Sequence, residues 1–354
     1  MTTNAYNIAV IAGDGIGNEV VPEAVKVLEA VASKYDLGFK FDEKDWSCER
    51  FHKKGAMMPE DGLEQINEHD SILLGAVGFP GVPDHVSLWG LLIPIRREFQ
   101  QYVALRPVRL FEGMPCPLAG REPGDIDFLI VRENNEGEYS EIGGRMYQGT
   151  ENELAMQQAI FTRKGTHRIM RYAFELAQTR ERKHVTSATK SNGIIHSMPY
   201  WDERFEAIAA DYPDVTTDKF HIDILTAHFV RNPDWFDVVV GSNLFGDILS
   251  DLGPAVTGTI GIAPGANINP ERDFPSMFEP VHGSAPDIAG QGIANPIGEI
   301  WSAAMMLDHL GQHHAAADIV TAIETVIRDS DVKTPDMGGK ANTQEVGQAV
   351  IDAL

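Results

Sequence analysis

The sequence predicts an α/β protein with substantial parallel sheet, because short apolar runs suited to strands alternate along the chain with segments of helical period, and turn residues separate them. Asn7 to Ile11 reads as the first strand. Val21, Val25, Leu28 and Ala32 then recur at spacings of four, three and four, which is one face of a helix. Ser71 to Val77 reads as a second strand. Further strands are expected at Asp127 to Val131, His184 to Ala188, Phe220 to Leu225 and Asp237 to Gly241, with helices over Ile194 to Ala210 and from Ile248 onward. The last helix carries its own start signal: Asn342 as N-cap, Glu345 three residues later, then Val346, Val350 and Ile351. Leu110 to Gly124 and Gly253 to Gly292 are too rich in glycine and proline for regular structure, and the polar segment Glu133 to Glu153 reads as an excursion such as a hairpin arm. No repeat or long linker interrupts the chain.

A length of 354 residues corresponds to roughly two domains, or one large α/β unit, and an apolar share of 43% leaves material for a sizeable core. Runs such as Ile8 to Ala12 are too short to span a bilayer, and no basic stretch precedes them, so neither membrane insertion nor export is expected. Cys48 and Cys116 lie in no zinc or CxxC spacing, which fits a reducing cytoplasm. The net charge of -23 repels polyphosphate backbones and argues against a nucleic-acid partner. Any site for an anionic small molecule must therefore gather arginines locally.

The sharpest local signal is the run from Asp237 to Asp251, a strand turning into a helix on which Asp247 and Asp251 stand four apart. Their carboxylates share a helix face and can converge on a hard cation such as Mg²⁺ or Mn²⁺. For an isolated DxxxD the commoner account is a first-turn carboxylate beside a solvated neighbour. Arg96, Arg106 and Arg132 could together grip the two carboxylates of a diacid, each guanidinium binding one of them bidentately. Singly, such arginines are more often solvated, and Arg97 and Arg109 are expected to be so.

Lys190 follows the strand His184 to Ala188, at the strand end where α/β sheets present functional groups. Burial or a nearby cation could make it a general base, although a free lysine at a loop mouth is commoner. Tyr139 could give a proton to a developing enolate or simply anchor a hairpin. Two glycine-rich loops could hold a nucleotide. Gly13-Asp-Gly-Ile-Gly17 has the spacing GxGxG, not the GxGxxG of a Rossmann fingerprint. In Glu279 to Gly290, backbone amides could receive phosphates and Asp287 could accept both hydroxyls of a ribose, which favours NAD over NADP.

In this order the motifs resemble the β-decarboxylating dehydrogenase family of isopropylmalate, isocitrate, tartrate and D-malate dehydrogenases, from Gly13–Gly17 to Gly283–Gly290 and Asn295-Pro. The resemblance implies the isopropylmalate dehydrogenase-like fold, not a Rossmann fold: a large mixed sheet flanked by helices, in two domains. A large domain would be built from 1–105 and 255–354 and carry the NAD site. A central domain, 106–254, would form a homodimer and bear an arm near 133–153. By the same resemblance Arg96, Arg106 and Arg132 bind substrate carboxylates, and Asp223, Asp247 and Asp251 surround Mn²⁺ or Mg²⁺. His282, Gly283, Ser284, Ala285, Asp287, Ile288 and Asn295 would hold NAD, and a monovalent cation such as K⁺ is admitted. Lys190 would act as base and Tyr139 as acid, with Lys190 and Asp223 supplied by the partner subunit.

For substrate, Arg97-Glu-Phe replaces the Ser-x-Asn element of isocitrate enzymes, and Ser87-Leu-Trp-Gly-Leu-Leu with Arg132-Glu-Asn-Asn-Glu-Gly-Glu-Tyr139 resembles the tartrate and D-malate branch. Trp89 would fill the space that a branched C3 substituent needs. The expected reaction is oxidation of D-malate to pyruvate and CO₂, with tartrate second, since an apolar pocket rejects an added hydroxyl only weakly. The alternatives are 3-isopropylmalate oxidation, a non-catalytic regulatory subunit, and a diacid-binding sensor. One departure from the family pattern is Ala12, where proline is usual.

Overall fold

The computed structural model describes residues 4–354; residues 1–3, where the expected large domain begins, lie outside the described residues. In chain order, β1 (Asn4–Gly13) leads through a glycine turn into α1 (Gly17–Tyr35). The buried stripe of α1 is Val20, Val21, Ala24, Val27, Leu28 and Val31. It lies about one residue round from the expected face, leaving Val25 and Ala32 half-buried. Next come β2 (Leu37–Glu43), α2 (Cys48–Lys54), which is capped by the Ser47 side chain, and α3 (Gly62–Ile66). After β3 (Ser71–Ala76), buried at every position, follow α4 (Asp84–Ser87), a π turn over Leu88–Leu92 and α5 (Ile93–Glu98).

The chain continues through β4 (Val103–Arg109), β5 (Asp127–Glu133) and the hairpin β6 (Gly143–Met146) and β7 (Leu154–Gln157). Then come α6 (Arg163–Thr179), β8 (His184–Thr189), α7 (Ser197–Ala209), β9 (Thr216–His221) and α8 (Ile222–Arg231). The last third comprises β10 (Val238–Gly241), α9 (Asn243–Thr257), β11 (Pro264–Ile268), β12 (Ser276–Pro280), α10 (Ile297–His309), α11 (His313–Asp329) and α12 (Thr343–Asp352). In α12 the expected capping box forms, with Asn342 and Glu345 each accepting the other's amide.

These elements divide into two compact units: among the described residues, 4–101, 109–124 and 257–354 in the first, 102–108 and 125–256 in the second. In the first unit the strands lie in the order β2-β1-β3-β12-β11. All neighbours there are parallel except β11 and β12, which makes the sheet mixed, and α1 and α10 pack on it. Because β12 comes from the far end of the chain to lie beside β3, the order is not that of a Rossmann sheet. In the second unit β4-β5-β10-β8-β9 lie side by side, with β5, β10, β8 and β9 parallel and α6 and α7 packed against them.

Three expectations need correction. Only Phe220 and His221 of the run Phe220 to Leu225 are strand; from Ile222 the chain is helical, and Leu225 and Phe229 are buried one turn apart. A short apolar run does not by itself distinguish strand from helix. Gly253 to Gly292, expected to be irregular, holds β11 and β12, which pair with each other and, through β12, with β3 from early in the chain, a long-range contact that leaves no local period. Segment 109–124, expected in the central domain, belongs to the first unit, where Gly113 approaches the Ile327 backbone.

Candidate active site

In the second unit, β10 and β5 run parallel with Gly241 opposite Arg132, so the turn into α9 lies beside the end of β5. Gly246 makes the approach possible, since a Cβ there would stand 2.5 Å from the Cβ of Arg132. Arg132 donates through Nε and Nη2 to Asn243 Oδ1 at 3.1 and 2.7 Å, and through Nη1 to Asp247. The Tyr139 hydroxyl donates to the other oxygen of Asp247 at 2.7 Å, and the Arg132 guanidinium lies 5.5 Å from the Tyr139 ring centre. Burial, and then hydrogen bonding to the Asp247 carboxylate, push the Tyr139 phenol up to about 12.

Arg106 and Arg132 are only 6% and 7% exposed, unlike solvated surface charges. A buried guanidinium is costly unless it faces negative charge. Here both face Asp251, one turn beyond Asp247 on α9. Partial burial and the Asp247 carboxylate raise the Asp251 carboxyl, while Arg106 and Arg132 draw it back down.

Lys190 follows β8, and its Nζ donates to Asp223 Oδ1 at 2.7 Å, which holds Asp223 below the usual carboxylate range. Asp223 sits in the first turn of α8, where the helix dipole favours an anion. Among the described residues of one chain, no three acidic, histidine or cysteine side chains gather closely enough to hold a metal ion. Lys190 with Asp223 and Asp247 with Asp251 are thus two pairs of this subunit.

In the first unit Arg96, 8% exposed, donates through Nη2 to Glu279 Oε1 at 2.7 Å, and Asn267 Nδ2 donates to the same oxygen at 2.7 Å. The π turn ahead of Arg96 has a local cause. Pro94 has no amide hydrogen for the Gly90 carbonyl, and the Ile93 amide reaches back to Leu88 O instead. On that turn Trp89 carries the Arg97 guanidinium 4.7 Å from its ring centre. Arg97 and Arg109, expected to be solvated, are half-buried, and Arg109 pairs with Glu324 at 2.5 Å.

The two glycine-rich loops meet. The Ile16 amide donates to Ser284 O at 2.9 Å, and a Cβ on Gly15, whose φ is +55°, would stand 2.0 Å from that oxygen. Ile16 and Val20 pack on Ala285, Ile288 and Ala289. Glu19 accepts the Gly290 and Gly292 amides at 2.6 and 2.8 Å, fixing the far end of the second loop. Asp14 is a brace: its carboxylate accepts the amides of Cys48 and Gly78 at 2.9 and 3.0 Å.

Residues 7–350 match the family model described as isocitrate/isopropylmalate dehydrogenase. The chain belongs to that family. It is 61% identical to tartrate dehydrogenase/decarboxylase of Pseudomonas putida, over 100% of this chain and 99% of that one. It is 62% identical to the decarboxylating D-malate dehydrogenase of Escherichia coli K12, over 98% of each. Its fold matches the crystal structure of isocitrate dehydrogenase from Methylococcus capsulatus with a TM-score of 0.89 at 35% identity, covering 98% and 99% of the two chains. The expected isopropylmalate dehydrogenase-like fold is thereby established, and the protein is a decarboxylating dehydrogenase.

The residues fit the groups that this family implies. Asp247 and Asp251 are hard oxygen donors on one helix face, and their mutual repulsion is what a divalent cation relieves. In the second glycine-rich loop, Gly283 and Gly290 have open space where a Cβ would stand, and Asp287 is exposed, which suits a nucleotide. Burial holds the His282 imidazole below its ordinary pKa, and its Nε2 is buried without a hydrogen-bond partner that a heterocycle could supply. Asn295 is occupied within the protein, bridging Asp336 and the Ile297 amide. Sequence reasoning missed Asn243, Glu19 and Glu279. Asn243, inside the Asp237–Asp251 run, and Glu279, at the start of the Glu279–Gly290 loop, stood within segments already singled out; Glu19 did not.

Proposed function

We propose that this enzyme oxidises D-malate with NAD⁺ to pyruvate, CO₂ and NADH, and takes tartrate as a second substrate. The buried arginines carry the proposal: Arg96, Arg106 and Arg132 are guanidiniums kept from water, chemistry suited to a dianionic guest. Two relatives at 61% and 62% identity, named for tartrate and for D-malate, support the choice of diacid. Trp89, its ring held against Arg97, supports a small C3 substituent.

In this mechanism Lys190, as the neutral amine, takes the proton of the C2 hydroxyl and becomes the ammonium, with Asp223 Oδ1 accepting from its Nζ and holding it in place. Bound NAD⁺ would supply the acceptor for the C2 hydride, and a Mn²⁺ or Mg²⁺ ion, which Asp247 and Asp251 with Asp223 of the partner subunit would hold, would supply polarisation of the C2 oxygen. Arg96, Arg106 and Arg132 hold the carboxylates while the C3–C4 bond breaks and CO₂ leaves. Tyr139, still protonated at neutral pH because its phenol is held near 12, gives its proton to C3 of the enolate. Asp287 would accept the hydroxyls of the NAD ribose and His282 to Ala285, with Ile288, would line the cofactor loop.

The active assembly in this proposal is a homodimer in which Lys190 and Asp223 serve the partner's Asp247 and Asp251. Exposed apolar side chains on the β6–β7 arm and on α8 and α9, among them Ile142, Met146, Met156, Ile224 and Ile248, support such pairing. The test is a substrate panel of D-malate, tartrate and isopropylmalate at equal concentration with Mn²⁺ and NAD⁺. D-malate is expected to give the highest kcat/KM. A preference for isopropylmalate above about a hundredfold overturns the assignment.

A further inference from the structure

Arg132 and Tyr139 reach Asp247 from opposite ends of a sharp turn, and the most deeply buried polar side chain between them is Glu133, 2% exposed. Successive side chains on a strand point to opposite faces. Arg132 accordingly goes to Asn243 and Asp247 on α9, whereas Glu133 goes to α6, where Arg168 Nη2 stands 3.7 Å from its Oε1. Arg168 is itself stacked 4.2 Å from the ring centre of Tyr102. Glu133 therefore lies turned away from the substrate arginine.

Its carboxylate instead gathers the turn. The Asn135 amide donates to both its oxygens at 3.1 Å, and the Glu136 amide to Oε2 at 2.7 Å. The neighbouring groups are tied elsewhere. The Asn134 amide donates to Tyr102 O and the Gly137 amide to Ile160 O. Glu136 accepts the Thr162 amide and hydroxyl, and Glu138 accepts the Ser242 hydroxyl and the Leu244 amide. An amide or a hydroxyl in place of the Glu133 carboxylate could not offer two acceptor oxygens to converging N–H groups.

We propose that Glu133 is a positioning residue for proton delivery: by accepting the amides of Asn135 and Glu136, its carboxylate sets the turn that presents Tyr139. This rests on Tyr139 as the proton donor. Protonation of the carboxyl puts an O–H where an amide N–H donates, which releases one end of the turn. The charged groups that face Glu133 are Arg168 from α6 and Glu136 from the turn. Burial outweighs the amides and Arg168, and Glu136 repels, so the carboxyl is pushed up to about 7 and the turn tightens across neutral pH.

The experiment compares Glu133→Gln and Glu133→Asp with the intact enzyme, in steady-state turnover and in amide-resolved NMR. Glu133→Gln should lower kcat by about tenfold or more while KM for the diacid changes little, part of the 10²- to 10⁴-fold that a positioned acid contributes. Glu133→Asp should recover part of the loss. In the intact enzyme the Asn135 and Glu136 amide signals should shift together with a midpoint near 7, and the shift should vanish in Glu133→Gln. A folded Glu133→Gln with full kcat, or intact-enzyme amides that do not titrate, overturns the proposal. Should Glu133→Gln fail to fold, the intact-enzyme titration and Glu133→Asp decide. If Tyr139→Phe keeps full activity, the donor assignment fails separately while the amide titration stands.

Discussion

The Tyr139 hydroxyl donates to one oxygen of Asp247 while the Arg132 guanidinium donates to the other, so one carboxylate links the proposed proton donor to a proposed substrate arginine. Removing the hydroxyl leaves Arg132 in place. Tyr139→Phe should lower kcat by about 100-fold, the low end for loss of a general acid, with KM for D-malate within a few-fold. Steady-state kinetics check this, and unchanged kcat would remove Tyr139 from the chemistry.

The Asp247–Asp251 pair repels itself in the absence of a cation. Asp251→Asn should therefore weaken Mn²⁺ binding by about 100-fold or more, exceeding the 10- to 100-fold typical of an outer-shell loss. Titration of Mn²⁺ by electron paramagnetic resonance measures it directly. Chelation should also abolish turnover, and full activity in excess chelator would sink the metal assignment.

Binding and chemistry separate at two other positions. Lys190→Met should cut turnover by about 10²- to 10⁴-fold while NAD affinity, followed by intrinsic fluorescence, stays near its starting value. Asp287→Lys should do the reverse at the cofactor. Loss of a charged hydrogen bond corresponds to about a 10- to 100-fold rise in the NAD dissociation constant, and NADP should become a usable cofactor. An Asp287→Lys enzyme with the original NAD affinity would refute the ribose contact.

Glu299 predicts a pH dependence of stability. It is fully buried on α10, neither carboxyl oxygen has a hydrogen-bond partner, and burial with the nearby Glu279 raises it well above the ordinary glutamate range. The folded state therefore holds a proton that the unfolded chain releases near pH 4.3, so this group's stabilisation is lost as pH rises from there towards its raised pKa. Glu299→Gln carries no such charge. Its melting temperature should equal that of the unaltered protein near pH 4 and exceed it increasingly towards pH 8, by about 1–2 °C for each kcal/mol restored in a chain of 354 residues. Parallel melting curves across that range would show that Glu299 does not titrate as described.

Much of the fold was legible before any coordinates. The strand and helix of Asp237–Asp251 lie where the sequence places them, although α9 already begins at Asn243, and the Asn342 cap forms as written. Both depend on neighbours within a few residues. The hairpin arm was also visible, but it reaches Gln157, beyond the expected end at Glu153. The run Phe220 to Leu225 was misread because Phe220, Ile222, Ile224 and Leu225 suit either a strand face or a helix face until a packing surface selects one.

By itself the sequence determined the alternation of strands and helices, the glycines that permit close approach at positions 15 and 246, and the residue types available for acid, base and anion chemistry. Tertiary structure alone decided the partners: β12 beside β3, Arg96 on Glu279, Glu19 closing the loop at Gly290 and Gly292, and Glu133 under the turn to Tyr139. The physical reason is range. Helix faces and caps depend on atoms a turn away, whereas a buried charge is tolerable only where some distant segment brings it an opposite charge or an amide, and no local pattern records which segment that is.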